Sequence, residues 1–438
     1  MIGSTGESPP AALERVASRL VPRPPVSQPL GEGVRGYLAE AVEIEIAPGF
    51  AAGGTARPRI ALRNGFAVPG ALGEGAECRV LGALHPGGAL DEYGTLVRPE
   101  SLRGLTPPEP PESVPGIWRV ETGAALPAEA AAVVPPEDAV LVGSRRVRIL
   151  RRPEPGSGVW PDSVRGRGAR LRFPTGTYVG ARVRSVLLAA GAASLPLVPK
   201  PAVAFATIGD ELTDTGAPLE PGRVPDLVGL ALEGCLRELG LEPLAFGILG
   251  DAPADFERAA VRARERGADV FIVSGGLGPG FGDRTRESLE KLEAEIAFAG
   301  RIAGEGFEFL LARLEGCHLL ALSGRPLAAS AEIDLLVRPG LLRMLGAPAA
   351  SWNWASGPEV PLLEPADAPP REGSWAVLPA RRARAAGGLP ACAAWEAPHP
   401  WTPWTPGQEG WAVVPPRPPE APGAPGPALA RFVAAEEL

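Results

Sequence analysis

The chain has few of the residues that build common metal, disulfide and phosphate-binding sites. Its 438 residues include three histidines and four scattered cysteines, and no two cysteines form a CxxC pair. A His/Cys metal cage or a disulfide framework is therefore not expected, and such cysteines are typical of a reducing compartment. Lys200 and Lys291 are the only lysines. Any step that needs a lysine as nucleophile or phosphate ligand has only these candidates.

Long apolar runs and excess positive charge are also absent. No stretch reaches the roughly 20 apolar residues of a membrane-spanning helix, and residues 1–10 lack a basic segment followed by an apolar one. We therefore expect a cytoplasmic protein that does not bind membranes. The net charge of −8 argues against nucleic acid as a partner. A chain of this length is expected to form roughly two to four domains.

Strands and helices alternate after Lys200, which predicts a parallel, doubly wound α/β sheet. The expected strands are Ala202–Thr207, Pro243–Leu249, Val270–Val273 and Leu319–Leu322, and the expected helices are Pro225–Leu239, Ala254–Arg266, Thr285–Ala294 and Ala328–Leu345. Short β-like runs between Ile60 and Val140 indicate a β-rich module. Seven of the nine tryptophans follow Gly346, where β-like runs indicate a small all-β domain. These tryptophans either fill its core or form a binding platform.

Acidic residues follow two strands of the predicted sheet, at the edge where open α/β sheets bind ligands. Asp210 and Glu211 follow the first strand, and Asp251 follows the second. Carboxylates on neighbouring loops would suit Mg²⁺, because this cation prefers oxygen ligands. The alternative is that these residues lie in solvated loops.

A glycine-rich loop, Ser274–Asp283 (SGGLGPGFGD), follows the third strand. Its glycines allow consecutive backbone N–H groups to face an anion, and the next helix would add its positive end. The loop lacks the Lys-Ser/Thr ending of a P-loop and the acidic residue that completes a dinucleotide-binding motif, which disfavours both nucleotide classes. Asp283 could instead cap the helix.

Seven short segments occur in an order that is typical of one protein family. They are Arg35–Glu40 (RGYLAE), Arg63–Val68 (RNGFAV), Glu121–Pro127 (ETGAALP), Phe173–Thr177 (FPTGT), Thr207–Leu212 (TIGDEL), Ser274–Asp283 and Ala321–Pro326 (ALSGRP). These segments resemble GRVLAED, MDGYAV, MTGAPLP, FPAGT, STGDEL, SGGVSVGxxD and GLPGNP of the molybdopterin molybdenumtransferases, or molybdenum insertases, which include the E domain of gephyrin. Each segment is weakly specific alone, whereas their common order covers almost the whole chain.

The resemblance implies an α/β multidomain fold with four domains. A central doubly wound, molybdopterin-binding-type α/β domain would span residues 200–349, and a β-rich module would span 41–151. Residues 10–40 and 152–199 would form an elongated linker domain. Residues 350–438 would form a small C-terminal β-barrel-like domain with a proline-rich tail. The family also implies a homodimer, whose active cleft lies between the α/β domain and the partner's β-rich module, and other molybdenum-cofactor proteins as partners.

The activity that the resemblance implies is a transferase step of molybdenum cofactor biosynthesis. Molybdate is inserted into adenylylated molybdopterin with Mg²⁺, and AMP is released. Carried over to this chain, the family's catalytic positions are Glu211, Asp251, Asp283, Thr122 and Asn64. Glu211 and Asp283 would bind the metal. The ligand-binding positions would be Ser274, Gly275, Gly276, Gly278, Gly280, Arg325 and Pro326.

Several positions depart from the family's motifs and leave the activity open. Asn64 stands where MDGYAV has aspartate, and an acidic residue of a GED segment is either lost or displaced to Asp162. The family's KPGKP segment corresponds to residues 300–306, which contain Arg301 but no lysine, and Arg325 adds positive charge within the GLPGNP-like segment. The alternatives are a weakened transferase, a non-catalytic pterin-binding carrier or scaffold, and a domain that adenylylates or hydrolyses a phosphoester.

Overall fold

A computed structural model describes most of the chain. The described residues are 7–31, 33–46, 59–70, 72–86, 89–90, 96–97, 114–143, 146–160, 169–190, 192–277, 283–303, 306–363, 374–394, 404, 408–416 and 429–435. Their α-helices, α1 to α7 in chain order, are Pro9–Arg19, Ala181–Ala189, Leu227–Glu238, Pro253–Glu265, Asp283–Lys291, Pro326–Glu332 and Arg338–Met344. Short 3₁₀ helices are Pro136–Asp138, Ala349–Ser351, Trp354–Ser356 and Ala386–Gly388. In this part of the chain, no helix is both long and apolar enough to cross a membrane.

A six-stranded sheet forms the core of the central α/β domain. Its strands, β1 to β6 in chain order, are Val203–Ile208, Leu244–Leu249, Val270–Ser274, Glu295–Arg301, Glu308–Leu314 and Cys317–Leu322. They lie in the order β2–β1–β3–β6–β5–β4. The first four strands of this order are parallel, whereas β5 and β4 are antiparallel to their neighbours. The predicted doubly wound fold is confirmed. The prediction that the sheet is parallel throughout is wrong, because it missed β4 and β5.

Helices cover both faces of this sheet. Every residue of β1 and β3 is buried, as expected for central strands that are covered on both sides. One face packs against α1, α3, α6 and α7, and the other packs against α4 and α5. The buried residues of α4 recur at helical spacing, at Phe256, Ala259, Ala260 and Ala263. The sheet therefore leaves its strand ends, rather than its faces, available to a ligand.

The helix predicted at Ala328–Leu345 is interrupted by a π-helical segment, Ile333–Val337, between α6 and α7. Pro339, in the first turn of α7, has no backbone N–H and cannot donate to the carbonyl of Leu335. The indole Nε1 of Trp354 donates to that carbonyl instead, at 2.8 Å. The predicted helix is therefore confirmed in extent, and the π-helical segment is a feature that the sequence analysis did not anticipate.

The β-rich module is built on a second six-stranded sheet. Its strands lie in the order Ala139–Leu141, Arg146–Ile149, Glu77–Leu84, Gly116–Val120, Gly65–Pro69 and Ala130–Val134. Two-stranded sheets pair Val26–Pro29 with Ser194–Leu197, Val42–Ile46 with Ala169–Phe173, Ile60–Ala61 with Val159–Trp160, Ala89–Leu90 with Leu96–Val97, and Leu212–Thr213 with Val224–Pro225. The strand Val42–Ile46 thus pairs with a strand of the predicted linker domain. The domain boundaries themselves stay a prediction.

The C-terminal residues form a five-stranded antiparallel sheet. Its strands lie in the order Glu359–Pro361, Leu429–Ala434, Gly410–Val414, Ala376–Arg384 and Pro390–Ala394. A β-bridge between Leu362 and Cys392 joins its two edges, which gives the barrel-like form that was predicted. Trp411 is completely buried, and its Nε1 donates to Asp334 Oδ2 at 2.8 Å. The expectation that the tryptophans fill the core is confirmed for Trp411, and this side chain connects the C-terminal domain to the α/β domain.

Candidate functional site

A cavity of about 790 Å³ lies at one edge of the central sheet. This volume is within the range of small-molecule sites in proteins. The predicted site residues that line it are Glu211, Asp251, Ser274, Gly275, Gly276, Arg325 and Pro326. Arg301, which was expected to compensate for missing lysines, lines it as well. The loops at the carboxyl ends of β1, β2, β3 and β6 therefore meet in one space.

The charged residues of the cavity follow the order of the strands. Asp251 follows β2 and Glu211 follows β1, the first two strands in the order of the sheet. Gly275 follows β3 in the middle. Arg325 follows β6 and Arg301 ends β4, at the other end, where Glu308 of β5 also lines the cavity and lies 3.7 Å from Arg301. We call these ends the acidic side and the arginine side. The arrangement fits a ligand that carries a cation at one end and an anionic group at the other.

Hydrogen bonds between two loops fix the acidic side. The backbone N–H of Asp210 donates to Asp251 Oδ2 at 3.1 Å, and that of Asp251 donates to Asp210 Oδ1 at 3.3 Å. Arg223 donates to the carbonyl oxygen of Asp210. The loops after β1 and β2 are thereby held together, and the backbone next to Glu211 is held with them.

Asp226 also lines the acidic side, and the sequence analysis did not identify it. Its Oδ1 accepts a hydrogen bond from the Gly229 backbone N–H at 2.8 Å, which makes it the N-cap of α3. Its Oδ2 accepts a hydrogen bond from Thr207 Oγ1 at 2.6 Å. An aspartate directly before the first residue of a helix is the signal that would have identified its structural role.

Two glycines form the middle of the cavity wall. Gly275 and Gly276 have φ values of +100° and +74°, a region that side chains rarely adopt. A Cβ on Gly275 would collide with the carbonyl oxygen of Ile208, and a Cβ on Gly276 would lie 2.8 Å from Thr285 Oγ1. Gly278 and Gly280, which belong to the same predicted anion-binding loop, lie outside the described residues. The backbone can thus approach a ligand closely at residues 275–276.

A metal site is neither assembled nor excluded by the described side chains. Glu211 and Asp251 line the same cavity. Asp283 is the first residue of α5, and its side chain lies outside the described part of the chain. Within that part, no group of three or more His, Cys, Asp and Glu residues is arranged to hold a metal ion. The predicted metal site at Glu211 and Asp283 stays a prediction.

A buried carboxyl group lies behind the arginine side. Glu332 is completely buried, and burial raises its pKa well above the usual value. Its carboxyl oxygens lie 2.8 Å from the backbone nitrogen and the Oγ of Ser323. The sequence analysis missed both residues. The available signals were a glutamate within a mostly apolar helical run, and a serine where GLPGNP has proline.

Thr122 and Asn64 contact each other but do not line the cavity of their own chain. Asn64 Oδ1 accepts hydrogen bonds from the backbone N–H of Thr122 at 2.8 Å and from its Oγ1 at 3.1 Å. Next to them, His85 Nδ1 lies 3.1 Å from Glu121 Oε2. Asn64 therefore orients the threonine without carrying negative charge. Within one subunit, the predicted catalytic residues fall into two separate groups.

Comparison with known protein families identifies the central domain. Residues 204–343 match the family model described as "Probable molybdopterin binding domain". These residues contain all the residues that line the cavity and the whole central sheet except for Val203, so the domain is of the molybdopterin-binding class of α/β domains.

Relatives of known name extend the comparison beyond this domain. The chain is 27% identical over 286 residues to molybdopterin molybdenumtransferase 2 of Mycobacterium tuberculosis. This alignment covers 59% of the present chain and 69% of that protein. The chain is also 30% identical over 238 residues to the molybdopterin molybdenumtransferase of Nostoc sp., and this alignment covers 54% of each protein. It thus spans only about half the length of some curated relatives. The chain is thus similar to molybdopterin molybdenumtransferases over more than half of its length, in agreement with the resemblance of its motifs.

The fold is similar to that of a solved structure over nearly the whole chain. A molybdopterin biosynthesis moeA protein from Pyrococcus horikosii aligns with a TM-score of 0.61 and 22% sequence identity. The alignment covers 94% of this chain and 95% of that one. At this identity the likeness concerns the fold alone, and it agrees with the predicted multidomain α/β architecture.

Proposed function

We propose that this protein is a molybdopterin molybdenumtransferase that inserts molybdate into adenylylated molybdopterin and releases AMP. The observation that carries the proposal is the cavity at the sheet edge. It combines an acidic side, a glycine wall and an arginine side within a domain of the molybdopterin-binding class. The substrate has the matching chemistry, because it carries phosphate groups and reacts with an oxyanion of a metal.

The arginine side would bind the anionic groups of the substrate. Guanidinium groups form charge-assisted, often bidentate hydrogen bonds with phosphate oxygens. Arg301 lies 3.7 Å from Glu308, and its side chain remains half exposed. Arg325 begins the segment that leads into α6. Both arginines take the role that lysines have in the family's basic segment.

The acidic side would hold Mg²⁺. Besides Asp226, which caps α3, Glu211 and Asp251 line this side, and Mg²⁺ is usually bound through one or two carboxylates together with substrate phosphates. The oxygen donors therefore fit the ion, and Asp283 could add a third. When bound, the ion would neutralise negative charge on the phosphate oxygens. Glu211 and Asp251 would also orient the substrate at this end.

Thr122 and Asn64 would complete the site from a second subunit. They do not line the cavity of their own chain, so a homodimer is the arrangement in which they could contact the ligand. We therefore propose that the protein acts as a homodimer. A cytoplasmic location and contact with other molybdenum-cofactor proteins belong to the same proposal.

Two substitutions test the division of roles within the cavity. Arg325→Asn, which restores the family's residue, should weaken the binding of adenylylated molybdopterin by about 10–100-fold, the usual effect of losing a charged hydrogen bond. Glu211→Gln should leave binding within a few-fold but slow molybdate-dependent AMP release by at least about 100-fold. Arg182→Asn and Glu220→Gln, at exposed positions outside the cavity, are the matched controls.

The outcomes separate the alternatives. Ligand binding without AMP release by the unmodified protein would replace the transferase by a pterin carrier or scaffold. If neither Arg325→Asn nor Glu211→Gln differs from its control, the cavity is not the ligand site and the proposal is wrong.

A further inference from the structure

Ser323 connects three segments behind the arginine side of the cavity. Its Oγ lies 2.7 Å from the carbonyl oxygen of Gly306, 2.8 Å from Glu332 Oε1 and 2.9 Å from the backbone nitrogen of Glu308. Gly306 and Glu308 belong to the hairpin between β4 and β5, and Glu332 ends α6. One hydroxyl group therefore joins the hairpin, the loop after β6 and the helix.

Two short contacts of Ser323 Oγ are explained by a proton on Glu332. Ser323 Oγ carries one proton, but three oxygens lie within hydrogen-bond distance of it: those of Gly306 at 2.7 Å, of Glu332 at 2.8 Å and of the Glu308 carbonyl at 3.2 Å. If the carboxyl is neutral, Glu332 donates to Ser323 Oγ, and Ser323 donates to Gly306. Glu332 Oε2 then accepts from the Ser323 backbone N–H at 2.8 Å. In this arrangement both of the shorter contacts, to Gly306 and to Glu332, contain a proton, and hydrogen bonding of this kind is the rule for buried polar groups.

Both ends of this network reach the cavity arginines. Gly306 has a φ of +94°, and a Cβ there would lie 2.7 Å from Arg325 Nη1, so the guanidinium group lies directly against this glycine. On the other strand of the hairpin, Arg301 pairs in register with Glu308. The position of the hairpin relative to the loop after β6 therefore determines the spacing of the two arginines.

Ser323 and Glu332 match each other in this chain. The family motif GLPGNP has proline at the position of Ser323, and proline has neither a backbone N–H nor a hydroxyl group. With proline there, Glu332 would lose both of its hydrogen bonds while remaining buried, which is costly for a carboxyl group. Glu332 therefore depends on the serine at position 323 for both of these hydrogen bonds.

We propose that Ser323 and Glu332 are positioning residues, in which neutral Glu332 orients the Ser323 hydroxyl so that it holds the hairpin against the loop that carries Arg325. The pair thereby fixes the distance between Arg301 and Arg325, and this distance determines which anionic group the cavity accepts. The inference rests on the proposed function for the identity of that group, namely a substrate phosphate. The hairpin contact itself is independent of it.

Glu332→Gln and Glu332→Leu distinguish positioning from simple packing. Glutamine reproduces the neutral carboxyl, because its Nε2 donates and its Oε1 accepts, whereas leucine removes both bonds. Leu336→Ala is the matched control, because Leu336 is completely buried in the π-helical segment after Glu332 but makes no bond to the hairpin. Ser323→Ala and the double variant Ser323→Ala/Glu332→Leu complete a double-mutant cycle.

The readouts are hydrogen exchange at the Glu308 amide and the affinity for adenylylated molybdopterin. Glu332→Leu and Ser323→Ala should each speed that exchange and weaken binding by roughly tenfold, and the double variant should be no worse than the single ones. Glu332→Gln should behave as the unmodified protein in both measurements. Leu336→Ala should lower the melting temperature without changing either of them selectively.

Two results would overturn the inference. One is a Glu332→Leu variant that binds and exchanges like Leu336→Ala, which would reduce Glu332 to a packing residue. The other is a Glu332→Gln variant as impaired as Glu332→Leu. If the unmodified protein does not bind the ligand at all, the proposed function fails, whereas the exchange at Glu308 still decides whether the pair holds the hairpin.

Discussion

Gly306→Ala tests whether the position of Arg325 determines ligand affinity. The new Cβ would lie 2.7 Å from Arg325 Nη1 and 3.4 Å from its Cδ. The guanidinium group is the flexible part of this contact, so it should move out of its place in the cavity while the backbone stays. Losing its charged hydrogen bonds to a phosphate should cost about 1.5–3 kcal/mol, which is about 10–150-fold in affinity.

The chain contains a close control for this substitution. Gly316, in the turn between β5 and β6, has a φ of +93°, nearly the +94° of Gly306, but no atom of the described residues lies within 4 Å of the place that a Cβ would take there. Gly316→Ala should therefore carry the same backbone strain, about 1 kcal/mol, without displacing an arginine. Both variants should lose similar thermal stability.

The assay combines calorimetric melting with anaerobic titration of adenylylated molybdopterin. We expect similar melting temperatures for the two variants and a loss of affinity in Gly306→Ala alone. If Gly306→Ala binds the ligand as tightly as Gly316→Ala, Arg325 does not contact the ligand from its observed position and the reasoning is refuted.

Three further predictions concern other parts of the structure. Burial raises the pKa of Glu332 above 4.5 in the folded protein. As the pH rises from about 4.5 towards the folded pKa, the unfolding free energy of the unmodified protein should therefore fall relative to that of Glu332→Gln, by up to about 1.4 kcal/mol per pH unit. Urea-unfolding free energies of the two proteins that change in parallel with pH would contradict this. Asp226→Ala removes the N-cap of α3 and should cost about 1–2 kcal/mol in thermal unfolding, whereas the exposed Asp214→Ala should cost almost nothing. Asn64→Asp keeps both hydrogen bonds from Thr122 and restores negative charge, so AMP release should rise by about 100-fold; an unchanged rate would speak for a scaffold.

Much of the α/β domain could be predicted because its central strands are continuous apolar runs. β1 and β3 are buried on both faces, and the helices α3 and α4, which follow β1 and β2, each have a clear set of buried apolar residues. The strand β4 (EIAFAGR) was missed, since alanine and glycine weaken its apolar pattern and it lies at the sheet edge. Pro339 was a local signal for the π-helical segment, whereas the Trp354 indole that satisfies the Leu335 carbonyl lies outside the local sequence that a helix pattern considers.

The acidic side of the site was also accessible from the sequence, whereas the support of the arginine side was not. Glu211 and Asp251 follow strands, and the rule that ligands bind at such strand ends brings them together without further information. Ser323 and Glu332 are nine residues apart, and their partnership depends on the hairpin residues Gly306 and Glu308, which tertiary structure alone brings to them. A carboxyl residue in an apolar run signals that a hydrogen-bond partner exists but does not identify it.

The most direct test of the central claim is a single-turnover measurement of AMP release from adenylylated molybdopterin by the unmodified protein, with Mg²⁺ and with or without molybdate. A molybdenum-inserting transferase should release AMP in the presence of molybdate and yield a molybdenum-containing pterin. Tight binding of the substrate with no molybdate-dependent release of AMP would contradict the account.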